Sequence, residues 1–280
     1  MKLGVSMYSY FGMWRSGTLD TPGFIKLARN IGADGVELLE PLWRNKAEEL
    51  PVVDETLEST GIRVGVYSVS NDFVSSNPAD RSLALDKIKV GVDSANHFGA
   101  KVVRVFAGNA KEDISFDQAF HWIVEGLQAG AEYAATHGVK LALENHGKLA
   151  GKSDQVKRIL DAVGSLALGA NPDTGNFLLV HEAPHEAIQA LATRAVMVHF
   201  KDFHEVPSSF EGFAYTSTDG LKFTGTAIGE GDVALEVCVN ELNQAGFDGW
   251  LNIEYEGSED PLVALPRSVA YTRGLLNAGI

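Results

Sequence analysis

A chain of 280 residues with 45% hydrophobic content can enclose a sizeable core as one domain. Its 37 aspartates and glutamates outnumber 23 lysines and arginines, and the resulting formal charge of −14 repels polyanions and argues against a nucleic-acid partner. No uninterrupted apolar stretch approaches the ~18 residues of a membrane span, the amino terminus enters strand-like sequence without an apolar leader, and the lone Cys238 falls among Leu235, Val239 and Leu242 in a helical pattern. These features predict a cytoplasmic protein with no membrane partner and no intrachain disulfide.

In chain order, short apolar runs at 3–6, 35–39, 63–67, 102–107, 140–144, 166–170, 196–200 and 250–254 read as strands. Helical patterns separate them. Pro22 suits a first helical turn before Phe24, Leu27, Ala28 and Ile31, with Gly32 as the stop. Ser115 and Gln118 predict a capping box ahead of Phe116, Phe120, Ile123 and Leu127, and Gly138 ends that segment. Ser153 precedes Val156, Ile159, Leu160 and Val163, while Asp232 and Asp260-Pro261 mark two later helix starts. Strand and helix alternation predicts a parallel sheet, and eight such units close most simply into a single (β/α)8 TIM barrel over residues 1–280. An open doubly wound sheet shares the local pattern. Residues 201–232, rich in aromatics and glycines with Pro207 and Asp219-Gly220, predict an extended loop or hairpin after the seventh strand.

Four consecutive strand ends in the second half carry a metal-binding side chain: Glu144, Asp173, His199 and Glu254. In a barrel these positions converge at the carboxyl face, where barrel enzymes place their chemistry. An open sheet would leave them in a row, so the set favours the barrel. Three carboxylates and one imidazole suit one divalent ion, Mn²⁺ first, with Mg²⁺, Co²⁺ or Zn²⁺ as alternatives.

Gly35-Val36-Glu37-Leu38, Leu143-Glu144-Asn145-His146-Gly147, Asp173-Thr174-Gly175-Asn176, Val198-His199-Phe200-Lys201-Asp202, Gly229-Glu230-Gly231-Asp232 and Ile253-Glu254 occur in that order. On these motifs the chain resembles, over nearly its whole length, the sugar isomerase and epimerase superfamily with xylose-isomerase-like barrels. The resemblance implies that Glu144, Asp173, His199 and Glu254 bind the metal and that Glu144 and Glu254 also serve as acid and base. A metal that chelates a carbonyl and its neighbouring hydroxyl stabilises an enediolate, and two glutamates on opposite faces would then exchange its proton.

Asn176 stands where the epimerase branch commonly has histidine, which makes it a candidate substrate contact and leaves the substrate open. His146 lies two residues beyond Glu144 on the same strand face, so it is a candidate third proton carrier or a residue that orients a ligand. Lys201 is a candidate for holding a substrate hydroxyl or phosphate, or a partner of Asp202 or another acid. Trp14 in the first loop is a candidate stacking surface for a sugar face, with local packing as the alternative. Glu37 and Arg104 are expected to form an interior ion pair. Gly229-Glu230-Gly231-Asp232 reads as a turn with Asp232 capping a helix, because no P-loop spacing follows.

The expected function is a divalent-metal-dependent isomerase or epimerase of a sugar or polyol that works through an enediolate. The competing expectation is a lyase or dehydratase that eliminates from a keto-sugar or inosose with help from His146. A noncatalytic sugar-binding barrel or partner subunit is the third, and a homo-oligomer is compatible with all three. The multi-metal endonuclease reading is disfavoured by the acidic charge.

Overall fold

The computed structural model describes residues 1–278, so residues 279 and 280 of the expected single domain lie outside the described residues. Eight parallel strands form the barrel: β1 Lys2–Ser6, β2 Gly35–Leu39, β3 Arg63–Ser68, β4 Val102–Val105, β5 Lys140–Glu144, β6 Leu168–Asn171, β7 Met197–Phe200 and, after three strands outside the barrel, β11 Trp250–Ile253. Their spatial order is β6-β5-β4-β3-β2-β1-β11-β7. The seam between β6 and β7 is closed by parallel bridges at Ala170–Ala195 and Asp173–His199. Pro172 has no N–H to give to this seam, and the bonds that cross it run from Val196 N to Ala170 O, His199 N to Pro172 O and Thr174 N to His199 O. The fold is the (β/α)8 barrel that the alternation predicts.

Between the strands run α1 Phe11–Ser16, α2 Thr21–Asn30, α3 Lys46–Thr60, α4 Pro78–Phe98, α5 Phe116–Thr136, α6 Ser153–Val163, α7 Pro184–Leu191, α8 Leu235–Gln244 and α9 Pro261–Ala278. Asp20 caps α2 at Gly23 N, and Ser115 and Gln118 form the reciprocal capping box of α5. Cys238 is buried in α8 within the main core. No described helix is long and apolar enough to cross a membrane. Beyond β7 the chain builds an antiparallel sheet in the order β8 Phe203–Val206, β10 Lys222–Gly225, β9 Tyr215–Thr216.

Two local expectations change. The sixth strand starts at Leu168 and not at 166, and Leu166 is 95% exposed. Asp232 does not cap α8, whose N-cap is Ala234, two residues further on; its carboxylate instead accepts from Glu205 N at 2.6 Å. The amides of Gly229, Gly231 and Val233 point at the Asp202 carboxylate, at 3.0, 2.9 and 3.2 Å. A side-chain anion of this chain therefore fills the turn that a phosphate loop would leave open.

Inside the barrel, residues alternate between two layers of opposite character. The lower layer is apolar, with Val66, Val102, Ala142 and Met197 packed against Trp250. Gly35 and Gly65 leave room for the indole, since a Cβ on either would stand 2.5 or 2.4 Å from it. Two residues further along the same strands the interior turns polar: Ser68, Arg104, Glu144, His199 and Asn252 are all buried, as is Glu37 of β2. A register shift between Val36 and Glu37 lets Gly65 fall out of the pairing, which aligns Glu37 with Val66.

Candidate metal centre and substrate cavity

Glu144, Asp173, His199 and Glu254 offer ligand atoms that all lie within 4.8 Å of one another, and all four residues are buried. Each arrives by a different route. Glu144 is the last residue of β5 and Glu254 directly follows β11, so strand pairing fixes their backbones. Asp173 leaves β6 after Pro172, and Asn145 clamps its backbone by accepting from its N–H at 2.6 Å and donating to its carbonyl at 3.2 Å. Its Oδ1 accepts from the amides of Gly175 and Asn176 at 3.0 and 2.9 Å, which leaves Oδ2 toward the cluster.

His199 is held from behind. Its Nε2 lies 3.0–3.1 Å from the Glu37 carboxylate, which Ser68 Oγ and Asn252 Nδ2 also hold at 2.5 and 2.9 Å. Nδ1 faces Glu144 Oε2 at 3.3 Å, Glu254 Oε2 at 3.6 Å and Asp173 Oδ2 at 3.8 Å. Among the described residues, His199 Nδ1 and Asp173 Oδ2 are buried polar atoms without a hydrogen-bond partner. Lys201 Nζ stands 2.9 Å from that Oδ2 as an ion pair lacking hydrogen-bond alignment. Buried atoms of this kind are costly unless something pairs with them, and the donor set fits a divalent cation.

Glu37 and Arg104 do not form the expected direct pair. Arg104 Nε lies 3.2 Å from Glu144 Oε2, and its Nη1 donates to Val69 O at 2.8 Å. Lys201 does not pair with Asp202, because adjacent residues on extended backbone point to opposite sides. Its Nζ reaches Asp173 Oδ2 at 2.9 Å, Glu254 Oε2 at 2.8 Å and Glu256 Oε1 at 2.6 Å.

The charges bias one another. Burial opposes ionisation of Glu144 and Glu254, yet His199 with Arg104 holds the Glu144 carboxyl below its usual range, and His199 with Lys201 holds Glu254 down at about 2. Burial lifts Asp173 to about 7, Lys201 opposes this, and Glu144 and Glu254 add to it. His199 stays protonated well above its ordinary range: burial opposes its charge, but Glu254, Glu37 and Glu144 outweigh that.

Above the cluster opens a cavity of about 610 Å³, lined by Glu144, His146, Asn176, Lys201, Glu254 and Glu256 on its polar side and by Phe11, Leu39, Pro41, Leu42 and Phe106 on its apolar side. That volume accommodates a small sugar or cyclic polyol. His146 packs on Phe106 at 4.3 Å between ring centroids, and burial lowers its basicity against the opposing pull of Glu144, which favours the neutral imidazole. Asn176 Nδ2 donates to Asn145 O at 3.0 Å and Glu144 Oε1 at 3.4 Å. Trp14 is not part of the lining; it stacks behind Phe11 at 5.7 Å under the Arg44 guanidinium, and Tyr8 and Phe11 present the aromatic surface instead. Among the lining residues that the sequence pattern does not point to are Glu256, and Tyr215 of β9, whose hydroxyl donates to Glu256 Oε2. Glu256 is two residues beyond Glu254, a spacing that already assigned His146 to the face of Glu144.

The family model described as xylose isomerase-like TIM barrel matches residues 25–275, and the chain belongs to that family. It is 26% identical over 220 residues to a 3-oxo-isoapionate decarboxylase of Pectobacterium atrosepticum, covering 77% of this chain and 74% of that protein. It is 25% identical over 240 residues to an inosose dehydratase of Clostridium botulinum, covering 80% and 78%. Similarity to an L-ribulose-5-phosphate 3-epimerase of Shigella flexneri is 24% identity over 264 residues, covering 89% and 87%. Relatives of this kind are enzymes of small sugars and polyols, and their activities include both isomerisation and lyase chemistry.

Proposed function

We propose that this protein is a divalent-metal-dependent lyase that withdraws a proton beside the carbonyl of a small keto-sugar or keto-polyol and expels a β-substituent such as water. Glu144, Asp173, His199 and Glu254 hold the ion, and the oxygen-rich set suits Mn²⁺ or Mg²⁺. A divalent ion there supplies positive charge beside a substrate oxygen, which lowers the cost of the negative charge that develops as the C–H proton leaves.

The observation that carries elimination over epimerisation is that Glu144 is already paired with Arg104 and that Glu144 and Glu254 would both also serve the ion as ligands. Engagement of this kind weakens both as bases. Neutral His146 on the cavity wall has no carboxylate within ion-pair reach among the described residues and is the better proton acceptor. It takes the α-proton and returns it to the departing hydroxyl. Lys201 and Asn176 orient substrate oxygens, while Tyr8 and Phe11 back the apolar face of the ring. The similarity to an inosose dehydratase supports this reading.

Isomerisation or epimerisation is the second reading, favoured because Glu144 and Glu254 both face the cavity. One experiment separates the two: metal-replete protein is incubated in D₂O with keto-sugars, inososes and their phosphates and followed by NMR. An unsaturated product supports the lyase. Deuterium in an otherwise intact or epimerised sugar supports the second reading, and no exchange or product across the panel refutes both.

A further inference from the structure

Lys201 occupies an unusual place for a lysine. Its ammonium is buried and touches two of the four candidate metal ligands, Asp173 Oδ2 at 2.9 Å and Glu254 Oε2 at 2.8 Å. Those two oxygens are among the three carboxylate atoms that surround His199 Nδ1, so the ammonium binds the cluster on atoms that face its centre. A third partner, Glu256 Oε1 at 2.6 Å, belongs to no ligand and lines the cavity, and Asn176 Oδ1 lies 3.5 Å away on the same side.

We infer that Lys201 is an internal counter-ion that competes with the divalent cation, and that binding of the cation transfers its ammonium from Asp173 and Glu254 to Glu256 at the cavity wall. The inference rests on the metal-centre reading above. An ammonium and a divalent cation that share two buried carboxylate oxygens repel each other strongly. The lysine stem has four flexible bonds, and Glu256 gives the charge a partner in either position. Tyr215 keeps that partner in place through its bond to Glu256 Oε2. Loading the ion would thereby deliver a hydrogen-bond donor to the substrate and couple the affinities for metal and substrate.

The test is calorimetric titration of the metal-free protein with MnCl₂ and MgCl₂, comparing wild type with Lys201→Met and Lys201→Gln. Loss of the competitor is expected to tighten metal binding at least about tenfold, the scale of one close charge pair. In the wild type, the ¹³Cε and Nζ resonances of Lys201 should shift on addition of diamagnetic Mg²⁺, a readout independent of any variant's folding. Unchanged or weaker metal binding by both variants, or unmoved Lys201 resonances at saturating Mg²⁺, overturns the inference while leaving the metal centre intact. No binding of either ion by the wild type overturns both.

Discussion

Glu37 and His199, 162 residues apart in the chain, meet across the barrel interior with the carboxylate 3.0 Å from Nε2. Because Glu37 occupies Nε2, Nδ1 is the nitrogen left to a ligand, and the tautomer is set by a residue of the opposite wall. Glu37→Gln is expected to weaken divalent-metal affinity by about 10- to 100-fold while the fold persists. Calorimetry gives the affinity, and ¹⁵N shifts of the imidazole report the tautomer. An affinity within twofold of wild type would show that Glu37 only fills the interior.

Metal uptake is expected to release protons, with a definite sign. In the metal-free state His199 is protonated well above its ordinary range and Asp173 titrates at about 7, whereas both must be deprotonated to act as ligands. Affinity should therefore rise with pH. Below pH 7 both residues release a proton on binding, and above it His199 alone does. Titrations in buffers of different ionisation enthalpy measure the number released, and a value near zero at pH 6 would contradict the assignment.

Glu144→Gln and Glu254→Gln should each lower turnover by at least about 100-fold and weaken metal binding. They should differ in stability. Glu144→Gln strips the buried Arg104 of its carboxylate, a loss on the order of 3 kcal/mol, whereas Lys201 keeps Asp173 and Glu256 when Glu254 is replaced. Thermal unfolding of the metal-free variants should rank Glu144→Gln below Glu254→Gln. Full activity in both would remove the cluster from the reaction.

His146→Asn should leave metal affinity near wild type and reduce product formation by roughly 10²- to 10⁴-fold, the range of one general acid–base group. Its solvent-exchange rate at the substrate carbon is the second readout. Undiminished elimination would relocate the base to a glutamate.

Away from the site, Gly65→Ala should destabilise the fold by about 1–3 kcal/mol, because its Cβ would stand 2.4 Å from the Trp250 ring. Leu166→Ser should stay within about 0.5 kcal/mol, since that leucine is 95% exposed. Chemical denaturation measures both.

The barrel and the converging quartet were legible because each rests on a local pattern: a strand that alternates, then a ligand at its end. What the pattern cannot contain is the choice of partner across the interior. Glu37 and Arg104 are charged residues in apolar strands, and pairing them was economical, yet the geometry gives Glu37 to His199 and Arg104 to Glu144. Lys201 and Asp202 are neighbours whose side chains leave on opposite sides, one into the carboxylate cluster and one into the Gly229–Val233 turn. Trp14 lost the cavity to Phe11 for a similar reason: a run of aromatics does not say which ring is in front. Leu166 reads as strand in the sequence because hydrophobicity alone does not distinguish a strand from the exposed turn in which it lies.

The wall of the cylinder is weakest where Pro172 interrupts the ladder, and Asp173 and His199 face each other across that gap. An ion gripped by both would act as a rivet through the last joint of the hoop, so that loading the site and tightening the architecture would become one event. Chelation should then be felt first as accelerated amide exchange along that joint, before any helix on the rim loosens.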